Sequence, residues 1–215
     1  MAQLAFTDLL GLDAAQRGHV RAIYEQAFPV RQREAFDSLL EAAREGDGLT
    51  LVATEAGEVV AFAALSRLKR VACSFLEYYA VLEGRRGGGL GRLLWAELLR
   101  YLDRSGESAR LVFEVEDPAE ADADPEEQHT RRRRIRFYER LGAVILPVHD
   151  YVVPNLDGTG TERMLLMWAD AGGDEAGPPR ADLRELVRGL YTEGYELPED
   201  DPLVLRALDG LARGG

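Results

Sequence analysis

Ten residues, Glu83-Gly84-Arg85-Arg86-Gly87-Gly88-Gly89-Leu90-Gly91-Arg92, combine the two features that bind a phosphate. Glycines let the backbone adopt positive φ and come close to an anion. The first amides of a helix have no partner inside it and sit at the positive end of its dipole, so a helix starting near Leu90 aims N–H groups at whatever the loop holds. Arg85, Arg86 and Arg92 add positive charge to a chain whose formal net charge is -12. A glycine-rich turn with solvated arginines is the plainer reading of these residues taken alone. A Walker loop is excluded, because Gly91 is followed by Arg92 and Leu93 rather than Lys and Ser or Thr. A dinucleotide fingerprint needs a strand–helix–strand unit, whereas three strand-like runs precede this loop.

Other side chains suited to proton chemistry lie around it. Tyr138, next to Phe137, carries an O–H that a helix can aim. It is either a proton donor or a half-buried residue packed beside Phe137 and Leu141. Glu77 adjoins Tyr78 and Tyr79 on a strand-like run. An aromatic setting raises a carboxyl pKa, which suits a general base; a solvent-facing strand residue is the alternative. Glu114 and Glu116 alternate and share one face of the next strand. They bind a cationic group or line a wet face.

The elements that must position these groups follow from periodicity. Residues 4–10 read as a strand, Asp13 caps a helix over 14–27, and a second helix covers about 33–44. Runs at 49–54, 59–65 and 72–82 read as an antiparallel meander with a turn at 55–58. A helix over 90–102 is closed by Gly106, and a strand covers 111–115. The acidic stretch 117–127 reads as a loop, followed by a helix from about Thr130 to Leu141. Strands at 143–153 and 163–168 follow. This order predicts an α/β (mixed α+β) fold with a mixed, mostly antiparallel sheet of about seven strands flanked by helices. Residues 1–169 form the main domain and the Gly, Asp and Pro-rich 170–180 a linker. The tail, 181–215, is a helical extension that packs on the main domain or on a second subunit of a homodimer.

Bulk composition narrows the function classes. A net charge of -12 disfavours nucleic acid. The single cysteine, Cys73, excludes an intrachain disulfide and a cysteine-based metal site, and the histidines are too scattered to suggest any other metal. No apolar run reaches membrane-spanning length and the first residues do not read as a secretory signal, which points to the cytoplasm. The arginine run 131–134 with Arg136 follows acidic residues and reads as ion pairs with them.

Two segments carry a family resemblance. Arg86, Gly89 and Gly91 fit the pattern Arg or Gln, two residues, Gly, one residue, Gly or Ala. Arg136-Phe137-Tyr138-Glu139-Arg140-Leu141-Gly142-Ala143 looks like a "phenylalanine-tyrosine … leucine-glycine" segment further along. In this order they resemble the GNAT superfamily of N-acetyltransferases, over roughly residues 4–168. The resemblance implies a GNAT-like fold, acetyl-CoA as cosubstrate, no metal, and direct transfer to a primary amine of a small molecule, amino acid or protein. A non-catalytic acyl-CoA-binding regulatory domain of the same fold is the alternative. By position, Arg86, Gly87, Gly88, Gly89, Leu90, Gly91 and Arg92 would hold the pyrophosphate. The main chain of Ala80, Val81 and Leu82 would pair with the pantetheine arm, Tyr138 would protonate the thiolate, and Glu77 would be the base. Many members carry an Asn after the fifth strand; here Glu116-Asp117-Pro118 stands there.

Overall fold

The computed structural model describes residues 4–105, 110–120, 124–170, 177–178 and 180–213. Gly106, expected to stop a helix, lies outside them, as do residues 121–123 of the acidic stretch and most of the expected linker. Eight strands form the sheet order β1 (Leu4–Asp8), β2 (Gly48–Glu55), β3 (Glu58–Leu68), β4 (Cys73–Val81), β5 (Arg110–Glu116), β8 (Thr161–Asp170) and β6 (Val144–Ile145). The short β7 (Val152–Pro154) also pairs with β8. Antiparallel ladders join β1–β2, β2–β3, β5–β8, β6–β8 and β7–β8. The β4–β5 pair is parallel, with Ser74 opposite Leu111 and Phe75 opposite Val112. The mixed, mostly antiparallel sheet expected from the element order is therefore present, with one strand more than expected: the run read as 143–153 is broken over residues 146–151 into β6 and β7.

Contacts divide the chain into two compact units. The first comprises Met1–Arg67 and Leu76–Glu107. Its helices are α1 (Ala14–Ala27), α2 (Phe36–Glu45) and α3 (Leu90–Ser105). Asp13 starts α1 as read from the sequence, accepting from the Gln16 amide at 2.8 Å while the Gln16 side chain returns to the Asp13 amide at 3.2 Å. Such a capping box is worth about 1 kcal/mol. Val20, Ile23 and Tyr24 of α1, with Phe36 and Leu39 of α2, bury against Val52, Phe62, Tyr78 and Ala80 of the strands. Tyr79 points to the opposite face of β4, where its ring meets Trp95 of α3 at 6.0 Å. Helices thus cover both faces of this unit's strands.

The second unit comprises Leu68–Phe75 and Ser108–Gly215. It holds α4 (Pro125–Glu139), α5 (Arg180–Gly189), a wide π turn over Leu190–Gly194, and α6 (Pro202–Arg213). Helix α4 starts earlier than its apolar periodicity predicts. Asp124 accepts from the amides of Glu126 and Glu127, each at 2.8 Å, and Pro125 occupies the first turn. Acidic residues in a first turn favour the helix dipole, so part of the stretch read as loop is a helix start. Leu183, Leu186, Val187, Leu190 and Tyr191 share one core with Val112, Leu146, Tyr151, Leu166 and Trp168. The tail is thereby built into this unit. Arg70 reinforces it, pairing with Glu185 at 3.3 Å and with Glu199, while Glu193 accepts from the Arg70 amide at 3.1 Å.

Candidate active site

In the first unit, β4 ends at Val81 and a short 3-10 turn over Glu83–Arg85 leads to the glycine run. Residues 83–89 are exposed. Gly87 and Gly89 have φ of 85° and 81°, a region that costs an ordinary residue about 1–2 kcal/mol. A Cβ built on either glycine meets nothing within 4 Å, so the backbone conformation, not crowding, requires glycine there. The Leu93 amide donates to the Gly89 carbonyl at 3.1 Å, which closes the first turn of α3. The amides of the helix's first residues have no acceptor within it, by helix geometry.

The loop is fastened at its edges. Arg85 forms an ion pair with Glu55, and Arg86 Nε donates to the Val81 carbonyl at 3.1 Å. Arg92 is exposed on α3. The Leu82 amide donates to the Val60 carbonyl at 2.9 Å. Of the stretch Ala80–Leu82, the Leu82 amide is therefore already used by β3. Tyr79, which the sequence offered only as an aromatic neighbour of Glu77, donates from its hydroxyl to the Gly91 carbonyl. Glu77 is half-buried near the Tyr24–Tyr78 pair, whose rings meet edge to face at 4.7 Å. Burial pushes Tyr24 up to about 12, and the Glu77 charge adds to the rise.

In the second unit, Tyr138 lies at the end of α4. The amides of Leu141 and Ala143 both donate to its carbonyl, at 2.9 and 3.1 Å, and Gly142 turns the chain at φ 88°. Its ring packs 4.5 Å from Phe113 and 5.1 Å from Phe137. Burial pushes the phenol up to about 12, so it keeps its proton at neutral pH and can donate it. Both readings of Tyr138, packing residue and proton donor, describe the same buried O–H.

The carboxylates at the end of β5 differ in partners. Burial alone would raise Glu116, but Arg134, with which it forms an ion pair, reverses this and holds it below its ordinary value. Asp117 pairs with Arg163 at 2.9 Å. Arg131, only 6% exposed, binds the Asp117 carbonyl at 2.8 Å and the carboxylates of Glu120 and Glu127 at 2.6 Å. Arg132 donates to Gln128 at 3.0 Å. The arginine run of α4 thus pairs two of its members, Arg131 and Arg134, with acidic neighbours, as its position in the sequence suggested. Glu114 instead accepts from the hydroxyl of Tyr151 at 2.6 Å and that of Tyr195 at 2.5 Å. Burial outweighs these bonds and lifts it to about 7. Neither tyrosine was legible as a site residue, since no local pattern ties them to Glu114. The described residues include no group of His, Cys, Asp and Glu placed to hold a metal ion.

No helix is long and apolar enough to cross a membrane among the described residues. No curated protein matches the sequence. The fold matches solved structures at low identity. A GNAT-family protein from Bacteroides thetaiotaomicron is 20% identical, with a TM-score of 0.68 over 90% of this chain and 99% of its own. The ribosomal-protein-S18-alanine N-acetyltransferase from Escherichia coli is 22% identical, with a TM-score of 0.53 over 78% and 94%. NAA60 from Arabidopsis thaliana, solved with acetyl-CoA, is 14% identical, with a TM-score of 0.58 over 80% and 100%. The model of the acetyltransferase (GNAT) family matches residues 18–143, which include the glycine loop, β4, β5 and Tyr138. The chain belongs to the acetyltransferase (GNAT) family.

Proposed function

We propose that the protein moves the acetyl group of acetyl-CoA to a primary amine by direct attack, both reactants being bound together. The observation that carries this is the loop at the start of α3: an exposed glycine run with two left-handed glycines, lying inside the segment that the family model matches. Backbone amides from Arg86 to Gly91 clasp the pyrophosphate, and Arg92 adds charge at the rim. Val81 serves the pantetheine arm, because the amides of successive strand residues point to opposite edges and Leu82 spends its own on Val60.

The amine must be neutral to attack, and the sulfur leaves more readily as a thiol than as a thiolate. Tyr138, protonated up to about pH 12, supplies that proton. Two carboxylates compete for the amine's proton, Glu77 on β4 and Glu114 on β5. Glu116 has Arg134 as a partner and contributes charge near the acceptor rather than a proton acceptor. Orientation of the two reactants supplies much of the rate. The cytoplasm, where acetyl-CoA and free amines meet, is the proposed setting.

The test is thiol release from acetyl-CoA with a panel of small amines, amino acids and N-terminal peptides. Release above background with at least one amine is the expected result. Tight acetyl-CoA binding with no release for any amine would leave only a regulatory acyl-CoA-binding role.

A further inference from the structure

Among the described residues the carboxylates near the end of β5 fall into two kinds. Glu116 and Asp117 each have an arginine, Arg134 and Arg163. Glu114 has hydroxyls. Its side chain lies on the face of β5 that includes Val112, against the core built by the C-terminal helices. The groups acting on it are the hydroxyls of Tyr151 and Tyr195 and the charge of Glu162 from β8. Tyr191, on the π turn, completes the surround: its ring is 5.2 Å from Tyr151 and 6.4 Å from Tyr195, and its hydroxyl donates to the Val152 carbonyl at 2.8 Å. None of these is a cation.

Two O–H donors steady an ionised carboxylate without neutralising it. An ionised carboxylate offers about four acceptor positions, and the tyrosines fill two. Glu114 is half-buried rather than sealed. Among the described residues no cation is among the groups acting on Glu114, so its open acceptor positions suit a positive group with N–H donors, and tyrosine rings are favourable neighbours for such a cation. Tyr195 belongs to the C-terminal segment, beyond residue 143 where the family match ends.

We infer that Tyr195 is a positioning residue of the transfer site: with Tyr151 it holds the Glu114 carboxylate to receive the acceptor's ammonium and take its proton. The C-terminal segment is thereby a working part of the site. This inference rests on the acetyl-transfer reading above. In the step, one N–H bond of R–NH3+ breaks and the proton passes to Glu114, leaving neutral R–NH2 and a carboxylic acid. The amine lone pair then forms the N–C bond at the thioester carbonyl, and the C–S bond breaks. The nitrogen loses its second proton, the sulfur gains one, and the proton on Glu114 returns to solvent. The products are the amide, the thiol and one proton in solution.

Two measurements test this on the full chain. The first does not need turnover: infrared difference titration between pH 5 and 9, with the carboxylic acid band of Glu114 assigned by its loss in Glu114→Gln. The expected midpoint lies near pH 7 in the wild type. It moves higher in Tyr195→Phe and in Tyr151→Phe, because each removes a donor that favours the ionised form. The second is the pH profile of kcat/KM for thiol release with the best amine of the panel. Its acid limb follows the same midpoint, rises by about one pH unit in Tyr195→Phe, and recovers most of the rate at high pH. A merely structural tyrosine would lower the rate equally at every pH. Coincident titrations and limbs in the wild type and Tyr195→Phe overturn the inference. So does a limb that survives Glu114→Gln and disappears in Glu77→Gln, since the proton then goes to Glu77. Absence of thiol release in the wild type at every pH overturns the transfer reading itself, and the proton step with it.

Discussion

The Tyr79 hydroxyl donates to the carbonyl of Gly91, joining β4 to the second residue of α3. The ring stacks edge-on against Trp95 one turn further along the helix. The strand and the amides proposed to clasp the pyrophosphate are thus held in one arrangement before any ligand arrives, and preorganisation of this kind lowers the cost of binding. Tyr79→Phe keeps the ring and loses the tether. CoA affinity by calorimetry is expected to fall about three- to tenfold, the worth of one hydrogen bond of about 1 kcal/mol. Unchanged affinity would mean that the loop holds its shape without Tyr79.

Gly89 gives a sharper test of the loop. A side chain there meets no neighbouring atom, so the fold tolerates it apart from the left-handed strain of about 1–2 kcal/mol. Gly89→Glu places a carboxylate where the diphosphate is proposed to lie. CoA affinity is expected to drop at least a hundredfold, with only a few degrees lost in melting temperature. Full affinity in a folded variant would remove the loop from the site.

Tyr138→Phe separates the two roles of that residue. The ring contacts with Phe113 and Phe137 survive the change and only the O–H is lost. The expected result is a fall of about 10²-fold in kcat for thiol release, with the acetyl-CoA KM little changed and folding intact. The phenol ionises only near pH 12, so wild-type kcat should show no loss attributable to Tyr138 up to pH 10. Retained kcat would assign Tyr138 to packing alone.

The tail's place in the second unit predicts a stability cost away from any chemistry. Leu186 is completely buried beside Val112 and Leu166 in the shared core. Leu186→Ala is expected to destabilise the protein by about 2–5 kcal/mol, read by urea unfolding with a single transition for the second unit. A cost below about 1 kcal/mol would mean that the tail is loosely attached.

How much of this was legible in the sequence depends on the range of each signal. The helix over 14–27 was readable because its cap, Asp13, and its apolar face are local. The loop at 84–91 was readable because glycine spacing is local too. Helix α4 begins five residues before the start that its apolar periodicity predicts, because that periodicity begins only inside it and the cap Asp124 looks like one more acid in an acidic stretch. The break between β6 and β7 leaves no signal in the sequence, because strands so short carry no strong period. The alternation of Glu114 with Glu116 suggests that the two act alike. Their partners make them opposites: Arg134, 18 residues from Glu116, lowers one, and Tyr195, 81 residues from Glu114, belongs to the other. Pairings at such separations are set by packing and leave no mark in local composition.

The same contrast gives a prediction for stability against pH. Unfolded, Glu114 ionises near its ordinary 4.5; folded, burial keeps the proton on to about pH 7. Between these values the folded chain binds more protons than the unfolded one, so this residue's contribution to stability declines as the pH rises through the window and is constant above it. The full difference is at most about 3 kcal/mol, and partial hydration of the half-buried carboxylate reduces it. Glu114→Gln cannot ionise and lacks this decline, while its amide oxygen still accepts from one tyrosine. Melting temperatures of the two proteins, measured side by side from pH 5 to 8, should therefore drift apart in favour of the variant as pH increases, by several degrees at pH 8. A difference that stays flat across that range would show that Glu114 is already ionised at pH 5 in the folded protein. The tyrosine bonds would then offset the whole cost of burying its charge.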